Sequence, residues 1–161
     1  MAGTRERKHA NRMWLLRFVN VYPPFLGAGI RVRRAGAGKR GFDVRMRLTW
    51  FNRNVLGSHF GGSLYAMCDP FFALIMIEQL GDDYVVWDKA AAIRFLRPGR
   101  GTVTASFDIA PERVDEIRRA TDANGMTEPA FVARVVDGRG ETVAEIDKTL
   151  YVRRRRAGND A

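Results

Sequence analysis

The sequence has one cysteine, two histidines and no long hydrophobic run. With Cys68 alone, an intrachain disulfide is excluded, and one cysteine with two histidines argues against a structural zinc site. The longest unbroken apolar run, residues 71–77, is too short to cross a bilayer. The basic N-terminal stretch has no apolar core and no small-residue cleavage site, so it does not match a signal peptide. We therefore expect a cytoplasmic protein without a transmembrane segment, and nothing here predicts a metal or redox cofactor.

Charge of one sign is in excess, with 27 basic and 18 acidic residues and a net charge of +9. Such a balance favours polyanionic partners: nucleic acid, an anionic membrane or a phosphorylated small molecule. Much of the excess lies at the ends, in a basic and amphipathic extension over residues 1–20 and in a run that begins at Arg153 and ends at Arg156. We interpret residues 153–161 as a solvated basic tail. No repeat or low-complexity linker divides the chain, which predicts a single domain over residues 1–161.

Hydrophobic periodicity predicts the element order α-β-β-α-β-β-α-β-β. A first short helix ends before Pro23, and a hairpin follows with its turn at Gly36–Gly41. A long apolar helix stops near Gly81, and a final hairpin turns at Asp137-Gly138. Strands joined mostly as hairpins around one long helix indicate an α+β fold with an antiparallel sheet.

The long helix, in "SHFGGSLYAMCDPFFALIMIEQLG" (residues 58–81), is apolar on nearly every side. We expect it to lie across the sheet, with a second cover such as another subunit. Asp69 falls on a stripe with Tyr65 and Phe72, and Pro70 predicts a kink beside it. Two interpretations remain open for Asp69: a base or nucleophile in a cleft, or a paired structural acid at a bend.

Gly61 and Gly62 lie where this helix begins, and unpaired backbone N–H groups there can hold an anion or an oxygen that becomes one during acyl transfer. A simple glycine-rich helix start is the alternative. Seven residues separate Gly62 from Asp69, about 10 Å along a helix. One copy of the helix therefore cannot easily bring both to one carbonyl group. Two antiparallel copies can, which predicts a dimer with two sites at the subunit interface.

The motif formed by Asn54, Gly57, Gly61-Gly62 and Asp69, followed by "IRFLRPG", resembles the hotdog-fold acyl-CoA thioesterases of the phenylacetate-pathway type. "YPPFLGAGI", "NRNVLGSHFGGSLYAMCDPF" and "YVVWDKAAAIRFLRPGR" more closely resemble an uncharacterised hotdog family of thioesterase-like proteins. The resemblance covers roughly residues 20–152. It implies an antiparallel β-sheet wrapped around a long central α-helix, and homodimers that join their sheets and often pair into homotetramers.

The resemblance also assigns roles to residues. Asp69 matches the catalytic acid, Gly61 or Gly62 the oxyanion amide, and Asn54 the polar residue of the preceding loop. Two features depart from the family pattern: Phe60 displaces His59 from the usual His-Gly-Gly, and Pro70 directly follows the acid. Both concern catalytic competence, whereas the fold does not depend on them.

Several further side chains are candidates for binding the substrate. Arg94 and Arg97, with Arg100, suit the phosphates of coenzyme A, although a solvent-facing basic edge explains them equally well. Asp88 and Lys89 either face the acyl group, pair across a dimer or are solvated, and we favour pairing. A Cys68–His59 nucleophile is also conceivable, but a buried thiol is far commoner. The remaining candidates are drawn from the helix and its entrance: His59, Tyr65 and Phe72.

Three functions follow in order of preference. The first is an acyl-CoA thioesterase that uses no cofactor, coenzyme A entering as part of the substrate. The second is a non-catalytic acyl-CoA or lipid-binding hotdog protein. The third is a basic nucleic-acid or membrane-surface binding protein.

Overall fold

A seven-stranded antiparallel sheet and a broken central helix make up the protein, in a computed structural model that describes residues 18–155. The strands are β1 (Ile30–Ala35), β2 (Gly41–Arg47), β3 (Tyr84–Phe95), β4 (Thr102–Phe107), β5 (Met126–Thr127), β6 (Ala130–Val136) and β7 (Thr142–Arg154). The helices are α1 (Pro23–Ala28), α2 (Gly61–Ala66), α3 (Phe71–Leu80) and α4 (Pro111–Asn124), with short 3-10 turns at Val19–Val21 and Ala37–Lys39. The α+β prediction is confirmed.

The strand order is β1-β2-β4-β6-β7-β3, and β5 pairs with β7 on the same side as β6. β7 therefore has β3 along one edge and β6 with β5 along the other. β3 ends the sheet: twelve residues long, it is paired on one side only and exposed over most of its length. A long, exposed edge strand presents unpaired backbone groups to another chain.

The hydrophobic core lies between the inner face of the sheet and α3. Phe71 is fully buried there, and its ring contacts Phe42, Phe107 and Phe25 with centroid distances of 5.2, 4.9 and 6.1 Å. The alternation of buried and exposed residues in β4 matches the period of two expected for one covered face.

The central helix is interrupted, as Pro70 predicts. α2 ends at Ala66 and α3 begins at Phe71, with Met67–Pro70 as a turn between them. A proline has no N–H to donate, so it stands at the start of a helix more easily than inside one. The interruption also breaks the helical phase: Phe72 points into the core and stacks on Phe131, away from the side on which Asp69 lies.

Two predicted boundaries differ from the structure. Pro23 and Pro24 do not simply stop a helix; they form the first turn of α1, where their missing N–H groups cost nothing. Arg153 and Arg154 belong to β7 and pair with Val85 and Tyr84 of β3, so the basic run begins inside the sheet. The first predicted helix, around Trp14, lies largely outside the described residues, as does Arg156.

A β-bulge at Lys89 re-phases β3. Asp88 lies opposite Leu150, but Ala90 lies opposite Thr149, so Lys89 has no counterpart on β7. The extra residue keeps Asp88 on the inner face of the sheet and turns Arg94 to the outer face, where it binds carboxylates of β7. Bulges of this kind redirect side chains and are common near functional sites.

Candidate active site

Asp69 lies at the break between α2 and α3, on the wall of an apolar cavity of about 640 Å³. Residues 18, 19 and 21–25 line the cavity, together with Tyr65, Pro70, Leu74 and Asp69. The Asp69 side chain remains 45% exposed. The helix break thus presents a carboxylate to a largely hydrophobic space.

Asp69 is not alone in these surroundings. The Tyr65 hydroxyl donates a hydrogen bond to its Oδ1 at 2.7 Å, and Lys148 Nζ donates to the same oxygen at 2.9 Å. Lys148 also reaches Asp88 Oδ1 at 2.9 Å. The two interpretations of Asp69 from the sequence are therefore not exclusive, because the acid is paired and also lines a cavity.

Burial and hydrogen bonds together set the protonation of this cluster. Burial raises the pKa of Asp88, although the hydrogen bond from Lys148 acts in the opposite direction. Burial alone would lower the pKa of Lys148, but its hydrogen bonds to Asp69 and Asp88 raise it above the ordinary value. Burial, and then the bond to Asp69, raise the pKa of the Tyr65 hydroxyl. Lys148 is therefore a cation near neutral pH, and Tyr65 is a neutral donor.

The sequence-based reading missed Lys148, although a signal was present. In "TVAEIDKTLYVR" the residues Ala144, Ile146, Leu150 and Val152 occupy every second position, and Lys148 fills the gap in that row. The row is the buried face of β7, and Lys148 is 0% exposed. A lysine in such a position needs a carboxylate partner.

Gly61 lies in a different cavity, of about 390 Å³, which Asn54, Ser58, His59 and residues 95–99 also line. No side chain caps α2, so the first N–H groups, those of Gly61 and Gly62, have no capping partner in the described chain. The two cavities share no lining residue. A single chain thus presents the carboxylate and the free amides in separate places.

Close contacts with two aromatic rings also explain why positions 61 and 62 are glycines. A Cβ on Gly61 would come within 2.9 Å of Phe95 Cζ, and one on Gly62 within 2.5 Å of Phe60 Cε1. Both rings are more than half exposed, so they can move aside for a ligand. The tight approach fits a site where backbone atoms must remain accessible, and it fits a packed helix start equally well.

Asn54 and His59 are engaged in the loop that carries them. Asn54 Oδ1 accepts hydrogen bonds from Leu56 and Ser58, and its Nδ2 donates to Ser58 Oγ and the His59 carbonyl. Asn54 therefore shapes the loop, and the structure shows no free polar atom on it for catalysis. His59 is buried, with Nε2 3.1 Å from the Gly101 carbonyl and Nδ1 without a partner in the described residues. Burial lowers the pKa of His59.

Other predicted binding residues lie elsewhere. Phe72 is a core residue, 4% exposed, and lines neither cavity. Lys89 binds Glu128 and Asp88 binds Lys148 within the same chain, so each has a partner other than the one expected across a dimer. Arg94 binds Glu145 and Asp147, and Arg97 binds Glu141. These two guanidinium groups are therefore already occupied by carboxylates.

Cys68 is fully buried, and burial raises the pKa of its thiol to about 12. A thiol with so little thiolate is a poor nucleophile, which argues against the cysteine–histidine alternative. Residues 18–155 also contain no group of three or more His, Cys, Asp or Glu side chains arranged to hold a metal ion.

A model of the family described as a domain of unknown function, DUF4442, matches residues 11–152. The chain belongs to the DUF4442 family. Among curated proteins, no sequence matches this DUF4442 chain.

Solved structures similar to this DUF4442 protein establish its hotdog fold. A Pseudomonas aeruginosa protein of unknown function, PA5026, described as a probable thioesterase, aligns with a TM-score of 0.73 and 21% identity over 86% of this chain and 93% of its own. The Haemophilus influenzae thioesterase HI1161 aligns with a TM-score of 0.64 and 15% identity, over 90% and 92% of the two chains. The PaaI protein of the Escherichia coli phenylacetic acid degradation operon aligns with a TM-score of 0.58 and 20% identity, over 91% and 95%. At these identities the likeness shows the fold, and the predicted hotdog architecture is confirmed.

The segment Gly61–Leu80 of this DUF4442 protein is long and apolar enough to cross a membrane by length and composition alone. It consists of α2, α3 and the turn between them, and half of its most apolar window is buried inside the fold. The core helix of a globular domain meets the same criteria of length and composition.

Proposed function

We propose that the protein hydrolyses acyl thioesters at an interface between two copies of the chain. Each copy contributes Asp69 to one site and the Gly61–Gly62 amides to the other. The observation that carries the proposal is the separation of these groups on one chain: the Asp69 carboxylate lines an apolar cavity, and Gly61, at the uncapped start of α2, lines another. A second copy is the simplest way to complete both.

The edge strand β3 supports the pairing of two copies. It is long, exposed and unpaired on its outer side, and the aromatic rings of Trp87 and Phe95 on it are 44% and 55% exposed. Two such strands can join antiparallel and extend the sheet across a two-fold axis. We expect a homodimer, which can pair again into a tetramer.

In the proposed reaction the apolar cavity holds the acyl group, and the Gly61 and Gly62 N–H groups bind the carbonyl oxygen. Asp69 takes a proton from a water molecule as the water oxygen bonds to the carbonyl carbon, and the negative charge that develops on the carbonyl oxygen is stabilised by the amides. The carbon–sulfur bond then breaks, and the leaving thiolate takes up the proton. Coenzyme A is the carrier we propose, in the cytoplasm, and this sequence of steps uses no metal or redox cofactor.

The test is hydrolysis of short-, medium- and long-chain acyl-CoA thioesters, followed by detection of the released thiol. We expect the Asp69→Asn variant to lose at least about 100-fold in kcat. Asp43→Asn is the matched control, because Asp43 is a surface acid of β2 that binds Arg33 on the outside of the sheet. An Asp69→Asn protein as active as the parent would overturn the proposal.

The shared site is tested by mixing two inactive variants, Asp69→Asn and Gly61→Val, after dissociation and reassociation. Random mixing makes about half of the dimers mixed, and each mixed dimer keeps one intact site of two, so about a quarter of the parental activity should return. Sites formed within single chains would return none.

A second candidate function is binding of an acyl ligand without turnover. It is favoured by the ion pair between Asp69 and a buried lysine, and by His59, whose ring binds the Gly101 carbonyl. Saturable binding of an acyl-CoA by the parent protein, with no thiol released, would select this function. The nucleic-acid alternative has less support, since many of the arginines in residues 18–155 bind carboxylates of the same chain.

A further inference from the structure

Lys148 is the only lysine or arginine among the buried residues of the described chain, with 0% exposure in the inner row of β7. Its direct neighbours in that row are Ile146 and Leu150, and Ala91 lies opposite it on β3. An ammonium group in this position has lost its water, so its charge must be compensated by protein groups.

The hydrogen bonds on Asp69 are one-sided. Lys148 Nζ and the Tyr65 hydroxyl both donate to Oδ1, at 2.9 and 2.7 Å. No hydrogen bond reaches Oδ2 from any residue between 18 and 155. Two donors on one oxygen fix the plane of the carboxylate and leave the second oxygen with its lone pairs available. The side chain lines the apolar cavity, so Oδ2 is the oxygen that can meet a ligand or water there.

Asp88 has a separate part in this arrangement. A single lysine paired with a single aspartate would form a neutral pair, whereas Lys148 is shared between Asp69 and Asp88. Asp88 therefore gives the Lys148 ammonium group a second acceptor besides Asp69. The bulge at Lys89 is what holds Asp88 on the inner face of β3, within reach of Lys148.

We propose that Lys148 is a positioning residue for Asp69: it fixes Oδ1 so that Oδ2 faces the cavity, and Asp88 helps to hold the Lys148 ammonium group in place. Lys148 does not touch the substrate in this scheme. The inference rests on the proposed function for its kinetic consequence, but the geometric part concerns the Asp69 side chain alone.

The kinetic test compares Lys148→Met with the parent on the acyl-CoA that the parent hydrolyses best. Since a displacement of about 1 Å in a reacting group costs roughly 100-fold in rate, we expect kcat to fall by about 100-fold with KM changed by less than about threefold. Asp88→Asn, which keeps the shape of the side chain, should lower kcat by about 10-fold with KM also unchanged. Arg134→Met is the matched control, because Arg134 is an exposed cation of β6 that binds Glu145.

The structural test is a crystal structure of the Lys148→Met variant, with Asp88→Asn as a second variant should the first fail to fold. We expect the Asp69 carboxylate to rotate away from its parental orientation while α2 and α3 stay in place. An unmoved carboxylate, an unchanged kcat, or a loss of activity that appears in KM alone would overturn the positioning role. If the parent hydrolyses no acyl-CoA, the proposed function fails, and the orientation of Asp69 in the variant decides the positioning role independently.

Discussion

The burial of Lys148 predicts that replacing its two acidic partners destabilises the protein more than replacing the lysine itself. Lys148 is 0% exposed, whereas the side chains of its partners Asp69 and Asp88 are 45% and 30% exposed. When both acids are replaced by asparagine, the buried ammonium keeps its charge and loses its compensation, which costs about 3–5 kcal/mol. When Lys148 is replaced by methionine, the two acids are still partly hydrated, and the cost should stay below about 2 kcal/mol.

The assay is thermal unfolding of four proteins: the parent, Lys148→Met, the double variant Asp69→Asn with Asp88→Asn, and the triple variant that combines all three. In a chain of this size each kcal/mol shifts the melting temperature by about 2–4 °C, so the double variant should melt about 10 °C lower. The triple variant should recover most of that loss, because no buried charge remains. Equal costs for the double variant and for Lys148→Met, with no recovery in the triple variant, would refute the reasoning.

Two further predictions concern buried titratable groups. Because burial raises the pKa of the Cys68 thiol to about 12, iodoacetamide at about pH 8 should leave Cys68 unmodified in the native protein and alkylate it in denaturant, as read by intact mass; rapid native alkylation would contradict the burial. Burial lowers the pKa of His59, so the unfolded chain, in which the pKa returns to about 6.5, binds the proton more readily as the pH falls below that value. The parent should therefore lose more melting temperature between about pH 7.5 and pH 5.5 than His59→Gln does, and parallel losses would show that His59 does not contribute.

Much of the fold could be predicted from the sequence because its signals are local. The alternation at Val103, Ala105 and Phe107 follows the two-residue period of a strand with one covered face, and all three side chains are buried. Pro70 removes a backbone donor, and the helix breaks beside it. The glycine at 81 has a positive φ of 80° and ends α3 as expected.

The parts that were missed depend on position within an element or on non-periodic contacts. The sequence predicts that Pro23 and Pro24 stop a helix, but a proline in the first turn starts one. The loop before α2 is shaped by side chains that bind backbone groups, as when Asn52 Nδ2 donates to the Ala28 and Arg47 carbonyls, and no periodicity reveals such bonds. Phe72 lies beside Asp69 only if one continuous helix crosses residue 70, and the structure has two helices there.

The candidate site likewise contains one residue that the sequence predicts and one that it does not. Asp69 was found from its local setting, a charge within an apolar helix. Its partner Lys148 is 79 residues away in sequence, and a lysine is by default assigned to the surface. The inner row of β7 would have placed it correctly, since a strand's register overrides the usual preference of the side chain.

The place of β7 in the sheet has a consequence for how the protein is made. β7 lies between β3 and β6 but is synthesised after both, so the sheet closes by insertion of its last strand. Until that strand leaves the ribosome, β3 and β6 each have an unpaired edge, and Asp69 and Asp88 face water. Insertion of β7 expels this water and brings Lys148 to the two acids in the same step. We therefore expect the nascent chain to depend on chaperone protection late in translation, and to complete its folding in one cooperative step.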